Sequence, residues 1–137
     1  MKRPYVFCVV LLLLCGVSGC KKSAEQLVRE QVAAMNEATA VLESIQDDAS
    51  AQRALPKLEK AAARVRAANE AALRSQPRGG DPDKAFEKLN DPKVMAQVNQ
   101  LTQAGMKMAG AQMQALQRAP GKAGQVQAIM DKVNVSR

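Results

Sequence analysis

The residues able to do chemistry are few, and their kinds exclude more than they suggest. The 137-residue chain has no histidine, three cysteines (Cys8, Cys15 and Cys20) and seven methionines. Without imidazole, general acid–base catalysis, nucleophilic triads, zinc sites and haem ligation lose their commonest residue. A paired-carboxylate hydrolase needs a rigid sugar-binding cleft, and past residue 19 the chain offers Phe86 as its only aromatic ring. The sequence therefore points away from an enzyme. Methionine offers one sharper idea. Met95, Met106 and Met113 recur on one face at helical spacing, with Met108 and Met130 nearby in sequence, and thioethers bind Cu(I). At about 1.5 Å rise per residue, Met106 and Met113 stand roughly 10 Å apart, too far to share one ion. Their expected role is filler for an irregular core, and neither metal nor cofactor is expected.

Other groupings are weaker. Asp81 and Asp83 fall far short of a calcium loop, and Gly79–Gly80 follows no strand and opens no phosphate-cradling motif. The net charge is +7, and Lys57, Lys60 and Arg64 share a helix face. Such a patch is a candidate surface contact for anionic headgroups or acidic cell-wall polymers, although a solvated face explains it as simply. Nucleic acid is not an expected partner, since past residue 19 Phe86 is the only ring that could stack on a base.

The N-terminus is more specific. Lys2 and Arg3 give it positive charge, and Tyr5 to Val17 form a thirteen-residue apolar stretch broken only by Gly16. A helix crossing a bilayer needs roughly 20 apolar residues, whereas the apolar part of a secretory signal takes about 7 to 15 before small residues at a cleavage site. Val17, Ser18, Gly19 and Cys20 then follow in order: aliphatic, small, small, cysteine. This run resembles the lipobox of bacterial lipoproteins at all four positions.

The resemblance implies cleavage between Gly19 and Cys20, a diacylglycerol on the Cys20 sulfur, and acylation of the freed amine in Gram-negative species. Residues 1–19 would be the signal and 20–22 the lipidated tether. Lys21 stands where inner-membrane retention in enteric bacteria usually shows Asp, which implies an outer-membrane destination facing the periplasm. Cys8 and Cys15 leave with the signal and Cys20 is alkylated, so no thiol remains for a disulfide. Asn134–Val135–Ser136 fits a glycosylation pattern that has no meaning in such a protein. The remaining domain, 23–137, must rest on a hydrophobic core, and it is long enough for one modest domain.

That domain is expected to be all-α. It is rich in Ala, Gln, Lys, Arg and Glu, which favour helix, and lacks the aromatic and β-branched runs of strands. A first helix over about 23–49 is capped by Ser23 and places Leu27, Val28, Val32, Ala34, Met35, Ala38, Val41, Leu42 and Ile45 on one half of the wheel. A second over about 54–75 has Pro56 in its first turn, where a missing N–H costs little. Its stripe is small, from Ala54 through Leu58, Ala61, Val65 and Ala68 to Ala72, with Asn69 near the centre, where a buried Asn can fix register.

Two prolines and a glycine pair make 76–82 a loop. Residues 81–90 suggest a short helical piece carrying Phe86 and Leu89. Asp91–Pro92 then opens a third long helix over about 92–118, with an apolar arc of roughly 160° that includes Val94, Met95, Leu101, Met106, Met108 and Met113. Pro120–Gly121 stops it, and a weaker helix over about 122–134 carries Val126, Ile129, Met130 and Val133.

Three long amphipathic helices cannot bury their faces separately. They predict an up-down bundle of three long helices with one or two short ones, preceded by the signal helix. Residues 21–50 hold three basic and six acidic side chains, and residues 51–80 seven and two, so the first two helices should attract weakly across their edges. The expected function is that of a small structural or interaction module in the cell envelope, binding an envelope protein or the wall. The alternative is a carrier for an apolar ligand, lined by the first and third helices.

Overall fold

The computed structural model describes residues 23–75 and 91–133. Helix α1 spans Ala24–Glu43, α2 Asp48–Arg74, α3 Pro92–Arg118 and α4 Ala123–Asp131, with a 3-10 turn at Pro120–Lys122 before α4. The fold is an all-α bundle, and no strand occurs among the described residues. The expected signal helix, Cys20, the expected 76–82 loop, the expected helical piece around Phe86 and the last four residues lie outside the described residues.

Helix α1 stops six residues before its expected end. Ser44 Oγ donates to the Val41 carbonyl at 2.6 Å, and Gln46 Nε2 donates to the Glu43 carbonyl at 2.8 Å. These bonds serve carbonyls that have no partner in a helix's last turn. Apolar periodicity hides the stop, because Ile45 continues the Leu42 face through the turn and is fully buried. Hydropathy alone cannot see a turn whose apolar residue still points inward.

Helix α2 starts at Asp48, six residues earlier than expected. Asp47 caps it: the Ser50 N–H donates to Asp47 Oδ1 at 2.6 Å, and the Asp47 N–H donates to Ser50 Oγ at 2.9 Å. The bond from the Ser50 backbone, then that from its side chain, holds the Asp47 carboxyl below its usual pKa. The cap therefore persists until pH falls through that lowered value.

Pro56 accordingly lies inside α2, not in its first turn. It deprives the Gln52 carbonyl of its helical donor. Both residues are exposed, so water can serve that carbonyl.

Helix α3 keeps its expected bounds. The Lys93 N–H donates to Asp91 Oδ1 at 2.9 Å with Pro92 in the first turn, and the chain breaks at Ala119–Pro120. At the α3–α4 corner the Gly121 N–H donates to Asp48 Oδ1 at 3.0 Å. A Cβ on Gly121 would lie 2.5 Å from the other oxygen of that carboxylate, so a side chain there would swing Asp48 aside and weaken the bond.

Helices α1 and α2 form an antiparallel hairpin. Val28 and Val32 near the start of α1 pack with Val94, Val98 and Leu101 near the start of α3, so α1 and α3 run parallel. Helix α1 packs along both neighbours, whereas α2 and α3 scarcely meet directly. Helix α4 bridges them at the end bearing the α1–α2 turn and buries Val126 and Met130, followed by Val133. Leu42, Leu58 and Val65 are fully buried along the α1–α2 hairpin and Ile45 at its turn, and Ala38, Ala51, Ala61 and Ala115 are fully buried as well.

The buried face of α3 is not the expected one. Leu101, Ala104, Met108, Ala111 and Ala115 are buried, while Met95, Met106 and Met113 are 45, 71 and 62% exposed. Helix α3 packs on α1 along its length and meets α4 only toward its end, so a narrow stripe of small residues suffices. A hydropathy wheel favours methionine over alanine and rotates the arc the wrong way. Met35, Met108 and Met130 do fill the core.

Replacing Pro56 with alanine restores one helical bond and removes the ring clash. Pro56→Ala should raise unfolding stability by about 1–3 kcal/mol, read from the urea midpoint; unchanged or reduced stability would show that α2 is not continuous through residue 56.

Candidate functional site

The end of the bundle where α1 begins is the end nearest Cys20. Ser23 Oγ accepts from the Gln26 N–H at 3.2 Å, and Gln26 Oε1 accepts from the Ser23 N–H at 3.1 Å, a reciprocal cap that starts the helix at Ala24. Only Lys21 and Lys22 separate Cys20 from Ser23. An extended chain covers at most about 3.6 Å per residue, so whatever holds Cys20 holds this end within roughly 11 Å. Because α3 is parallel to α1, its start lies at the same end. Gly19 and Cys20 themselves lie outside the described residues.

Lys57, Lys60 and Arg64 are exposed on α2. They do not act alike, because Arg64 Nη1 reaches Glu37 Oε2 of α1 at 2.5 Å. That contact is a cross-edge attraction of the kind the opposite charges of the two segments imply. Lys132 of the α4 end meets Glu59 of α2 at 3.3 Å, and Arg66 and Arg74 share Glu70. Exposed pairs of this kind contribute only about 0–1 kcal/mol each. They orient helices more than they hold them, and they leave Lys57 and Lys60 as the outward cations of the patch.

One polar group inside the bundle escaped the sequence reading. Gln31 is 3% exposed, and its Nε2 donates to Asn69 Oδ1 of α2 at 2.9 Å. The pair joins α1 to α2 in the half of the bundle that α4 does not reach. Gln31 Oε1 is buried without a hydrogen-bond partner among the described residues. The signal was present: Leu27, Val28, Ala34 and Met35, its neighbours one helical turn away, are all buried, so position 31 must be buried too. Counting only apolar types passed over it. Thr39, the other buried polar residue, is satisfied by donating to the Met35 carbonyl at 2.8 Å.

No described helix is long and apolar enough to cross a membrane, and no three carboxylates gather at metal-binding spacing among the described residues. Comparison with known proteins adds no relative, since no protein family, curated protein or solved structure matches the chain at a significant level.

The Gln31–Asn69 pair carries an asymmetry that stability measurements can read. Asn69→Leu should lower stability, because it leaves the whole Gln31 amide buried and unpaired. Gln31→Leu with Asn69→Leu together should raise it by about 1–3 kcal/mol over that single variant. Equal effects of the single and double substitutions would show that the pair is not formed.

Proposed function

We propose that this chain is the precursor of a membrane-anchored bacterial lipoprotein. Its mature helices form a small structural or interaction module in the cell envelope, tethered through acylated Cys20 and facing the periplasm from the outer membrane. The observation that carries this reading is the run Val17–Ser18–Gly19–Cys20 directly after a thirteen-residue apolar stretch with positive charge ahead of it. The helical bundle begins at the Ser23 cap three residues later, which is compatible with a short tether. Each buried CH₂ of an acyl chain contributes about 0.8 kcal/mol, so two or three chains hold a protein where one would not.

The surfaces left to meet a partner are helical. The Lys57 and Lys60 patch suits acidic wall polymer or anionic headgroups, and the outer face of α3 suits protein. No catalytic role is assigned to any side chain.

Intact mass of the membrane-extracted protein should show a chain beginning at Cys20 and carrying diacylglycerol. Cys20→Ser should leave the precursor uncleaved and without acyl mass. A serine variant processed and membrane-bound like the parent would overturn the proposal.

A further inference from the structure

Every exposed large hydrophobic side chain among the described residues is a methionine on α3. The face they occupy has a regular period. Met95, Asn99, Thr102, Met106, Ala109, Met113 and Leu116 follow one another at alternating steps of four and three, the spacing of a coiled-coil seam. The buried stripe Leu101, Ala104, Met108, Ala111 and Ala115 alternates three and four on the opposite side of the same helix. Helix α3 thus carries two seams of one period: α1 covers the first, and the second faces solvent, with Thr102 and Leu116 half-buried at its flank.

We propose that the outer seam pairs with the same seam of a second copy of this chain, as a parallel, in-register dimer on the membrane. The positions flanking the seam argue for a copy of itself. Ala96, Gln103, Gly110 and Gln117 on one side, and Val98, Gly105 and Gln112 on the other, carry no charge. Charges at such positions usually select a different partner chain. Their absence leaves no repulsion between identical helices laid seam to seam. Lys93, Lys107 and Arg118, the only charged residues of α3, lie away from the seam. They would face away from a bilayer laid against the methionines, which counts against lipid as the occupant.

Asn99 argues for the parallel direction. It occupies the position that, in a parallel in-register pair, meets its own counterpart, so the two amides can hydrogen-bond each other and fix register. In an antiparallel pair it would lose that counterpart and face Met95, Thr102, Ala109 or Leu116 instead. The anchor imposes the same direction, a step that rests on the proposed lipidation of Cys20. Helix α3 runs parallel to α1, so every copy held by Cys20 on one leaflet presents α3 pointing the same way. Beside the seam, Gly105 and Gly110 have open space around them, which permits close approach of a second helix. Methionine alternating with threonine and alanine makes a weak seam. Confinement to one membrane supplies the local concentration it needs.

The test uses the full precursor, expressed in a Gram-negative host and recovered in phosphatidylethanolamine–phosphatidylglycerol vesicles. Met95→Cys and Met113→Cys sit about 27 Å apart along the seam and leave Asn99 in place, and Gln114→Cys puts an exposed thiol off it. With oxidised glutathione, both seam variants should form disulfide-linked dimers, roughly ten-fold more than Gln114→Cys, which shares their confinement to the membrane but not their place on the seam. Adding Met106→Glu to Met113→Cys should abolish the cross-link while leaving the melting curve unchanged.

An antiparallel pair would link at most one of the two seam positions and would overturn the proposal, as would cross-linking no greater than at Gln114→Cys. Cross-linking is read on the acylated chain, identified by intact mass. Acylated chains that stay monomeric sink the seam and leave the anchor standing. A chain found unacylated sinks the anchor, and the seam must then cross-link in register in concentrated solution or fall as well.

Discussion

Helix α1 is held between α2 and α3, and almost every other feature of the molecule follows from that sandwich. The two outer helices scarcely meet, so the bundle has a spine and not a shared three-way centre. No aromatic residue is buried among the described residues. A core without large rings must gain its contacts by close approach. Alanine supplies it, with Ala38 of α1, Ala51 and Ala61 of α2 and Ala115 of α3 all fully buried. Leu42, Ile45 and Leu58 add about 1.5–3 kcal/mol each by burial. The arrangement is economical in apolar volume, which is why α3 can bury a stripe of small residues and leave three methionines outside. It also leaves a seam between α2 and α3 that α4 closes at one end, docked there by the Gly121–Asp48 bond.

Much of this was legible in the sequence, and what was not failed for identifiable reasons. The bounds of α3 were clear because Asp91–Pro92 and Pro120–Gly121 punctuate both ends with residues whose backbone chemistry permits little else. The α1–α2 turn was not, because Ile45 keeps the apolar period while the backbone has already left the helix. Pro56 misled in the other direction: a helix breaker seen without the Asp47–Ser50 cap looks like a start. The face of α3 was rotated because methionine outweighs alanine on a wheel, whereas packing distance favours alanine. Gln31 was passed over on residue type although its helical neighbours required it to be inside. Asn69, placed near the centre of its stripe, is the group that Gln31 meets.

Function divides along the chain in the same way. Cys20 would set where the protein is, and the helices would set what it touches. With no histidine in the sequence, the described surfaces offer shape, exposed cations such as Lys57 and Lys60, and a methionine-bearing face of α3. With Cys20 three residues before the Ser23 cap, an anchor there would tie those surfaces to the membrane at a fixed end and specify location and orientation together. Opposite charges on α1 and α2 contribute little energy, yet the Arg64–Glu37 contact helps hold the hairpin in the register that the Gln31–Asn69 pair also favours.

The claim on which the rest depends is that α1 is the spine. Native-state amide hydrogen exchange, followed residue by residue, tests it most directly. The account predicts that the slowest amides lie in α1 from Ala34 to Leu42 and exchange only through global unfolding, with α4 opening well before them. Protection greatest in α2 or α3, with α1 exchanging while its neighbours stay folded, would contradict it.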